Sequence, residues 1–289
     1  MEAWLFYAAG AAVFAALTTI LAKMGLNNVD SHLATAIRTM VVLVFAWIMV
    51  FIVGSQSGIF HADARTWFFL ILSGLATGAS WLCFFRALQL GTVNRVVPID
   101  KSSTIFTMIL AFIFLGEPIG AFTAVGMVLM AAGTWLMIDF KKEEGNRSKR
   151  YGWLFFALIA AVFASLTAIL GSIGFENIEA NLGTAIRTMA VVPMSWLMVF
   201  LTRGKNTRGK INKENWLFLI LSGVATGASW LFFFRALQLG NASNVVPVDK
   251  LSVVLTMGFA RLFLGEKFSK RSLAGLMLLT GGTLLTLIR

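Results

Sequence analysis

Long apolar runs separated by short polar segments make up almost the whole chain. Five such runs fall in the first 140 residues: Ala3 to Ala22, Leu33 to Val53, Trp67 to Phe85, Val93 to Leu115 and Ala121 to Ile138. Each approaches or exceeds the length of about 20 residues that a helix needs to cross the apolar layer of a bilayer. Five further runs follow after a polar linker at 141–150. The pattern predicts an all-α membrane protein with ten transmembrane helices.

The second set of five runs repeats the first. The sequence matches itself without gaps at an offset of 149 residues, and about half of the aligned positions are identical. We therefore divide the chain into a first repeat at 1–140, a basic linker at 141–150 and a second repeat at 151–289. Because five is an odd number, the second copy must enter the membrane in the opposite orientation, which predicts a 5+5 inverted-topology repeat.

The composition agrees with a membrane location and argues against several functions. Hydrophobic residues make up 58% of the chain and charged residues 13%, and the mean hydropathy is +0.83. Two histidines and the single Cys83 do not supply a metal site or a Cys/His nucleophile. The ATP-binding pattern G-x-x-x-x-G-K-[ST] does not occur. We expect no catalytic residue, no cofactor and no metal, and we do not expect an enzyme.

The net charge of +11 resides in short loops between the apolar runs, so we expect no nucleic-acid partner. Basic residues without a counterpart in the other copy fall almost entirely on the linker side of the membrane, whereas only Arg65 and Arg289 fall on the other side. Cytoplasmic loops carry an excess of Lys and Arg. The charges therefore predict a cytoplasmic linker and outside termini in a multi-pass protein of the cytoplasmic (inner) membrane.

Charged and polar residues inside the spans occur in matched pairs and form the candidate site. A charge at the centre of a span costs about 2.5–3.5 kcal/mol on insertion, so it normally faces the protein interior or a wet cavity. Asp100, Ser103 and Thr107 have i, i+3, i+7 spacing, which predicts one polar stripe in the fourth span of each half. The residues predicted to bind substrate or to couple transport are Arg38, Thr77, Trp81, Asp100, Lys101 and Ser103, with their copies Arg187, Thr226, Trp230, Asp249, Lys250 and Ser252.

Structural roles compete with these functional ones. Asp100 and its copy could form an ion-pair network with Arg38, Arg86 and the copies of these arginines that only locks helices together. Arg38 could instead extend toward lipid headgroups. Small residues seven apart in the last helices predict the seam between the halves, and small residues four apart in the third helix favour close helix packing. The glycines concerned are Gly126, Gly133, Gly275 and Gly282 in the last helices and Gly74 and Gly78 in the third.

Short motifs in a fixed order resemble the EamA-type branch of the drug/metabolite transporter superfamily. In both copies an Arg occurs early in the second span, Ala-Leu ends the third, Pro begins the fourth and Leu-Gly-Glu follows it. In this chain they are Arg38 and Arg187, Ala87-Leu88 and Ala236-Leu237, Pro98 and Pro247, and Leu115–Glu117 and Leu264–Glu266. The resemblance implies a secondary transporter with a central substrate cavity between the halves. It also implies cytoplasmic termini, opposite to the orientation that the charges predict.

The sequence as a whole predicts a secondary active transporter that moves small metabolites by alternating access. Proton coupling through Asp100 or Asp249 is one mechanism that the charges allow, and the substrate could be amino-acid-like or an organic ion. A passive channel and a membrane enzyme acting on lipid are the alternatives. We expect a monomer with two pseudo-symmetric halves, whose partners are a small-molecule substrate and membrane lipid.

Overall fold

The computed structural model describes residues 3–27, 29–116, 119–137, 152–175, 177–202, 211–239, 248 and 252–286. These residues form helices joined by short turns and contain no β-strand. The all-α prediction is therefore confirmed. The linker at 141–150 lies outside the described residues, as do four of the acids and bases singled out above, namely Glu117, Asp249, Lys250 and Arg289.

The helices of the two copies have matching bounds. The first copy contains α1 (Ala3–Gly25), α2 (Ser31–Val53), α3 (Ala64–Leu90), α4 (Val93–Lys101), α5 (Ser103–Leu115) and α6 (Ala121–Met137). The second contains α7 (Gly152–Gly174), α8 (Ala180–Thr202), α9 (Lys213–Leu239), α10 (Ser252–Leu264) and α11 (Lys270–Leu285). The bounds of α7, α8, α9 and α10 are those of α1, α2, α3 and α5 displaced by the same 149 residues.

Local sequence signals explain where the early helices begin and end. The Asp30 carboxylate accepts hydrogen bonds from the backbone N–H groups at the start of α2, and Asp63 does the same for α3. Gly54 ends α2 in the left-handed conformation, with φ at 75°, which glycine adopts without strain. In the described part of the chain, seven helical segments are long and apolar enough to cross a membrane.

The last helices of the two halves, α6 and α11, pack closely and run in opposite directions. A Cβ atom added to Gly133 would lie 2.6 Å from the carbonyl oxygen of Gly275, and one added to Gly126 would lie 2.7 Å from that of Gly282. Contacts that pair an early residue of α6 with a late residue of α11 require antiparallel helices. The inverted repeat is therefore confirmed, as is the prediction that these glycines form the seam between the halves.

The third helix of each copy packs against helices of the other copy. The hydroxyls of Ser73 and Ser80 in α3 donate to the carbonyl oxygens of Thr167 and Ala160 in α7, both at 2.9 Å. The equivalent bonds from α9 to α1 join Ser222 to Thr18 at 2.8 Å and Ser229 to Ala11 at 3.0 Å. Because the third helices cross the boundary between halves, any site on them is built from both copies.

The fourth span of the first copy consists of two helical segments, α4 and α5, which meet at Ser102. Asp100 lies in the last turn of α4, whereas Ser103 and Thr107 lie on α5. Ser102 keeps helical backbone angles, with φ at −65° and ψ at −11°, so the two segments form one continuous span over Val93–Phe114.

Candidate functional site

Two arginines reach across the boundary between the halves and bind hydroxyl groups there. Arg38 in α2 donates from Nε to Ser222 Oγ at 2.9 Å and from Nη2 to Thr226 Oγ1 at 3.1 Å. Its copy Arg187 in α8 donates from Nη2 to Thr77 Oγ1 at 3.0 Å. The candidate residues Arg38 and Thr226, and likewise Arg187 and Thr77, therefore meet in pairs that each draw on both copies.

Glycines on the third helices allow these arginines to approach. A Cβ atom on Gly223 in α9 would lie 2.7 Å from Cβ of Val41 in α2, and a Cβ atom on Gly78 in α3 would lie 2.8 Å from the sulfur of Met194 in α8. A Cβ atom on Gly74 would collide with the Arg187 backbone oxygen. The prediction that Gly74 and Gly78 serve close packing is confirmed, and that packing brings each guanidinium within hydrogen-bonding distance.

The surroundings of the two arginines differ although their sequence positions are equivalent. Arg38 is 1% exposed, and its guanidinium carbon lies 4.2 Å from the ring centroid of Phe85 and 5.8 Å from that of Trp81. Arg187 is half-buried, lies 5.6 Å from the Phe175 ring, and its Nε has no hydrogen-bond partner among the described residues. Arg38 is thus covered by aromatic rings and Arg187 is more exposed, while each retains one buried nitrogen without a partner among the described residues, Nη1 of Arg38 and Nε of Arg187.

A cavity of about 310 Å³ lies beside Arg187, near the middle of the spans. Side chains from α3, α7, α8 and α9 line it, so it lies between the two copies. Four of the residues predicted from the sequence meet there, together with several Ser and Thr hydroxyls: Thr77, Trp81, Arg187 and Trp230. The lining combines one guanidinium, hydroxyl groups and two indole rings, an arrangement able to bind a small polar molecule with a planar part.

The other predicted residues lie elsewhere. Asp100, Lys101 and Ser103 are half-buried where α4 meets α5 and are not among the described residues lining the cavity. Ser252 is buried at the start of α10. Asp249 and Lys250 fall outside the described residues.

The structure excludes one alternative role of Arg38. Arg38 lies inside the protein, so the interpretation that it extends toward headgroups is wrong. It donates to hydroxyl groups, and Arg86 donates to the side-chain oxygen of Gln89. These bonds are not to Asp100, but Asp249 lies outside the described residues, so the wider network with the copies Arg187 and Arg235 stays a prediction.

Two charged residues have roles that the sequence analysis missed. Glu266, the acid of the second Leu-Gly-Glu motif, accepts hydrogen bonds from the backbone N–H groups of Val93 at 2.8 Å and Asn94 at 2.9 Å. It therefore caps α4 of the opposite half, where a carboxylate also interacts favourably with the helix dipole. Lys23 donates to the carbonyl oxygens of Leu88 and Gly91 at the end of α3. The motif itself was visible in the sequence, but its partner helix was not.

Together these features define a class of protein, namely a multi-pass membrane protein whose two inverted helical copies enclose a polar and aromatic cavity. The sequence model of the EamA-like transporter family matches residues 2–139 and 151–288, one match for each copy. The chain belongs to the EamA-like transporter family, and its function is membrane transport.

Two relatives described as transporters support this placement. One, named "Uncharacterized transporter in cobO 3'region" from Sinorhizobium sp, is 44% identical over 133 residues, which cover 46% of this chain and 94% of the relative. That relative is thus about as long as one copy. The other, an uncharacterized transporter from Archaeoglobus fulgidus, is 21% identical over 228 residues and covers 78% of each chain.

A crystal structure with the same fold spans nearly the whole molecule. It superposes with a TM-score of 0.68 at 15% identity and covers 99% of this chain and 96% of its own. At that identity the likeness establishes the fold alone.

Proposed function

We propose that the protein is a secondary active transporter that moves small metabolites across the cytoplasmic (inner) membrane by alternating access. The supporting observation is the unequal environment of two equivalent arginines. Arg38 is sealed beneath aromatic rings, while Arg187 lines a cavity. A transporter with inverted repeats exposes its site to one side when one copy is open and to the other side when its counterpart is open.

The positions of the arginines suit this mechanism. Each is the eighth residue of its helix, because α2 begins at Ser31 and α8 at Ala180. Since the copies are inverted, the two guanidinium groups lie on opposite sides of the membrane midplane. Exchange of their environments would close the cavity at Arg187 and open an equivalent cavity at Arg38 without any change of fold.

We also propose that Asp100 and Asp249 are the acids that couple transport to proton movement. The excess of unmatched basic residues favours a cytoplasmic linker and outside termini. Because both copies occur in one chain and pack together along α6 and α11, we propose that the monomer transports its substrate.

Cysteine accessibility tests alternation directly. Thr184 lines the cavity, whereas its equivalent Thr35 is fully buried, so Thr184→Cys and Thr35→Cys form a matched pair in a Cys83→Ala background. We expect an impermeant thiol reagent to label Thr184→Cys from one side and Thr35→Cys from the other. Conditions that speed labelling at one position should slow it at the other. A Thr35→Cys variant that never reacts would contradict alternation.

Transport by the purified protein in liposomes separates a carrier from a channel. A thermal-shift screen of metabolites identifies ligands, because a compound that binds only the folded state stabilises it. We expect the ligand found in this way to show saturable uptake and counterflow. Flux that rises linearly with concentration and shows no counterflow would establish a passive channel instead.

A further inference from the structure

The cavity beside Arg187 is lined by a positive charge and, among the described residues, by no negative charge. Among its described lining residues Arg187 is the one charged side chain, and the others are hydroxyl-bearing, aromatic or aliphatic. We propose that this cavity binds a small organic monoanion, namely a carboxylate with a planar apolar body. This inference rests on the proposed transport function and names the class of substrate.

The guanidinium retains donors for such a ligand. Arginine carries five N–H donors, and the described residues accept a single hydrogen bond from Arg187, that of Thr77. Arg38 donates two hydrogen bonds, from Nε to Ser222 and from Nη2 to Thr226, although its Nη1 has no partner among the described residues. The Nε of Arg187 lacks the equivalent bond. A carboxylate offers two oxygens that match the planar donor pattern of arginine.

Desolvation strengthens the preference for an anion. A guanidinium at mid-span that has no negative charge beside it in the described lining is costly to bury, and a bound negative charge offsets that cost. A cationic ligand would instead add repulsion in a medium of low dielectric constant. The described lining supplies no carboxylate that would attract the ammonium group of an amino acid, which leaves its hydroxyl groups and aromatic rings for that role. The electrostatics therefore favour an anion most and a cation least.

The walls of the cavity define the rest of the ligand. Trp81, Trp230 and Phe233 present aromatic rings, which bind flat apolar groups well. The volume of about 310 Å³ equals that of about ten molecules of liquid water. A single aromatic ring bearing a carboxylate fits both the volume and the chemistry. Benzoate is the simplest member of that class.

Three probes of the same shape and different charge test the proposal on the full-length protein in detergent. They are benzoate, neutral benzamide and cationic benzylamine, and the measurements are thermal shift and equilibrium binding. We expect benzoate to stabilise and bind the protein, and the other two to do neither. Arg187→Gln should weaken benzoate binding by at least about tenfold, because it removes charged hydrogen-bond donors.

Two further variants keep the result interpretable. Arg187→Lys preserves the positive charge and should still prefer benzoate to benzamide, even if Arg187→Gln fails to fold. Arg86→Gln removes a cation that bonds to Gln89 outside the cavity and should leave benzoate affinity unchanged. Absent benzoate binding, equal binding of benzamide, tighter binding of benzylamine or unchanged affinity in folded Arg187→Gln would each overturn the proposal.

Counterflow in liposomes tests the transport function separately from the anion site beside Arg187. Benzoate that binds through Arg187 but shows no protein-dependent counterflow would leave the anion site intact and remove the transport proposal for this ligand. Saturable counterflow of benzylamine without benzoate binding would support transport and overturn the anion site.

Discussion

The guanidinium of Arg38 donates from Nη2 to the hydroxyl of Thr226 at 3.1 Å, across the boundary between the two halves of the molecule. The equivalent bond on the other side joins Arg187 and Thr77 at 3.0 Å. Each half therefore holds the other through the same pair of residue types. The two bonds differ in their surroundings, since one is sealed in protein and the other borders a cavity.

This difference predicts unequal effects of removing the two hydroxyls. Thr226→Val leaves the fully buried Arg38 without one acceptor and should destabilise the protein by about 1.5–3 kcal/mol, as expected for a hydrogen bond to a charged group. Thr77→Val should cost less, because cavity water can replace the lost acceptor for Arg187. Thermal unfolding of both variants in detergent measures the difference. An equal loss of stability would mean that Arg187 is as well sealed as Arg38.

Adjacent glycines in α11 provide a test of the seam with α6. A Cβ atom on Gly282 would lie 2.7 Å from Gly126 O and 2.8 Å from Met130 N, both backbone atoms, so the helices must separate. Gly282→Ala should therefore destabilise the protein by about 1–3 kcal/mol. Gly281→Ala meets nothing within 4 Å and should be neutral or slightly stabilising, since alanine favours helix. Melting temperatures that fall equally in both would argue against the seam.

Glu266 should stabilise α4 from the opposite half. Glu266→Gln keeps an oxygen acceptor but removes the charge that favours the helix N-terminus, so we expect a loss of about 0.5–1 kcal/mol. Faster amide hydrogen exchange at Val93 and Asn94, read by mass spectrometry, would report the weakened cap. Lys267→Gln is the control because it changes the charge at an exposed neighbour. Unchanged exchange in Glu266→Gln would contradict the capping role.

Membrane orientation can be measured in intact cells. Single cysteines placed in the 141–150 linker or near either terminus, in a Cys83→Ala background, react with an impermeant thiol reagent only from outside. The distribution of basic residues predicts labelling at the termini and protection of the linker. The reverse pattern would show that the termini are cytoplasmic, as the family resemblance implies.

Asp100 and Asp249 are the proposed coupling acids, and each is changed to Asn to test this. Loss of pH-driven transport with retained substrate exchange and an unchanged melting temperature is expected, because Asn cannot take part in proton transfer. Transport that falls only in proportion to folded protein would instead indicate a structural role in a buried charge network. Unchanged pH-driven transport in both variants would remove the proton hypothesis.

The sequence predicted the features that depend on local composition and on the number of apolar runs. The length and polarity of each run fix whether it can span a bilayer, and the repeat at a fixed offset makes the two copies alike. The odd number of spans then fixes their inversion. Small residues at spacing seven predicted the seam at Gly133 and Gly275 because a helix places such residues on one face.

The sequence could not identify partners that are distant along the chain. Arg38 bonds to Ser222, 184 residues away, and Glu266 caps a helix 173 residues earlier. Both contacts depend on how the inverted halves pack, which no local pattern encodes.

The chain by itself therefore determined two nearly equivalent halves with matched arginines, threonines and tryptophans. Only the tertiary structure decided that Arg38 is covered by Phe85 while Arg187 lines a cavity. The physical reason is that the two copies have nearly the same sequence around these arginines and therefore the same local structural preferences. Those preferences cannot decide which of the two arginines is buried. Which arginine is covered depends on how the two halves pack against each other. In this structure the packing is close around Arg38 and leaves a cavity beside Arg187.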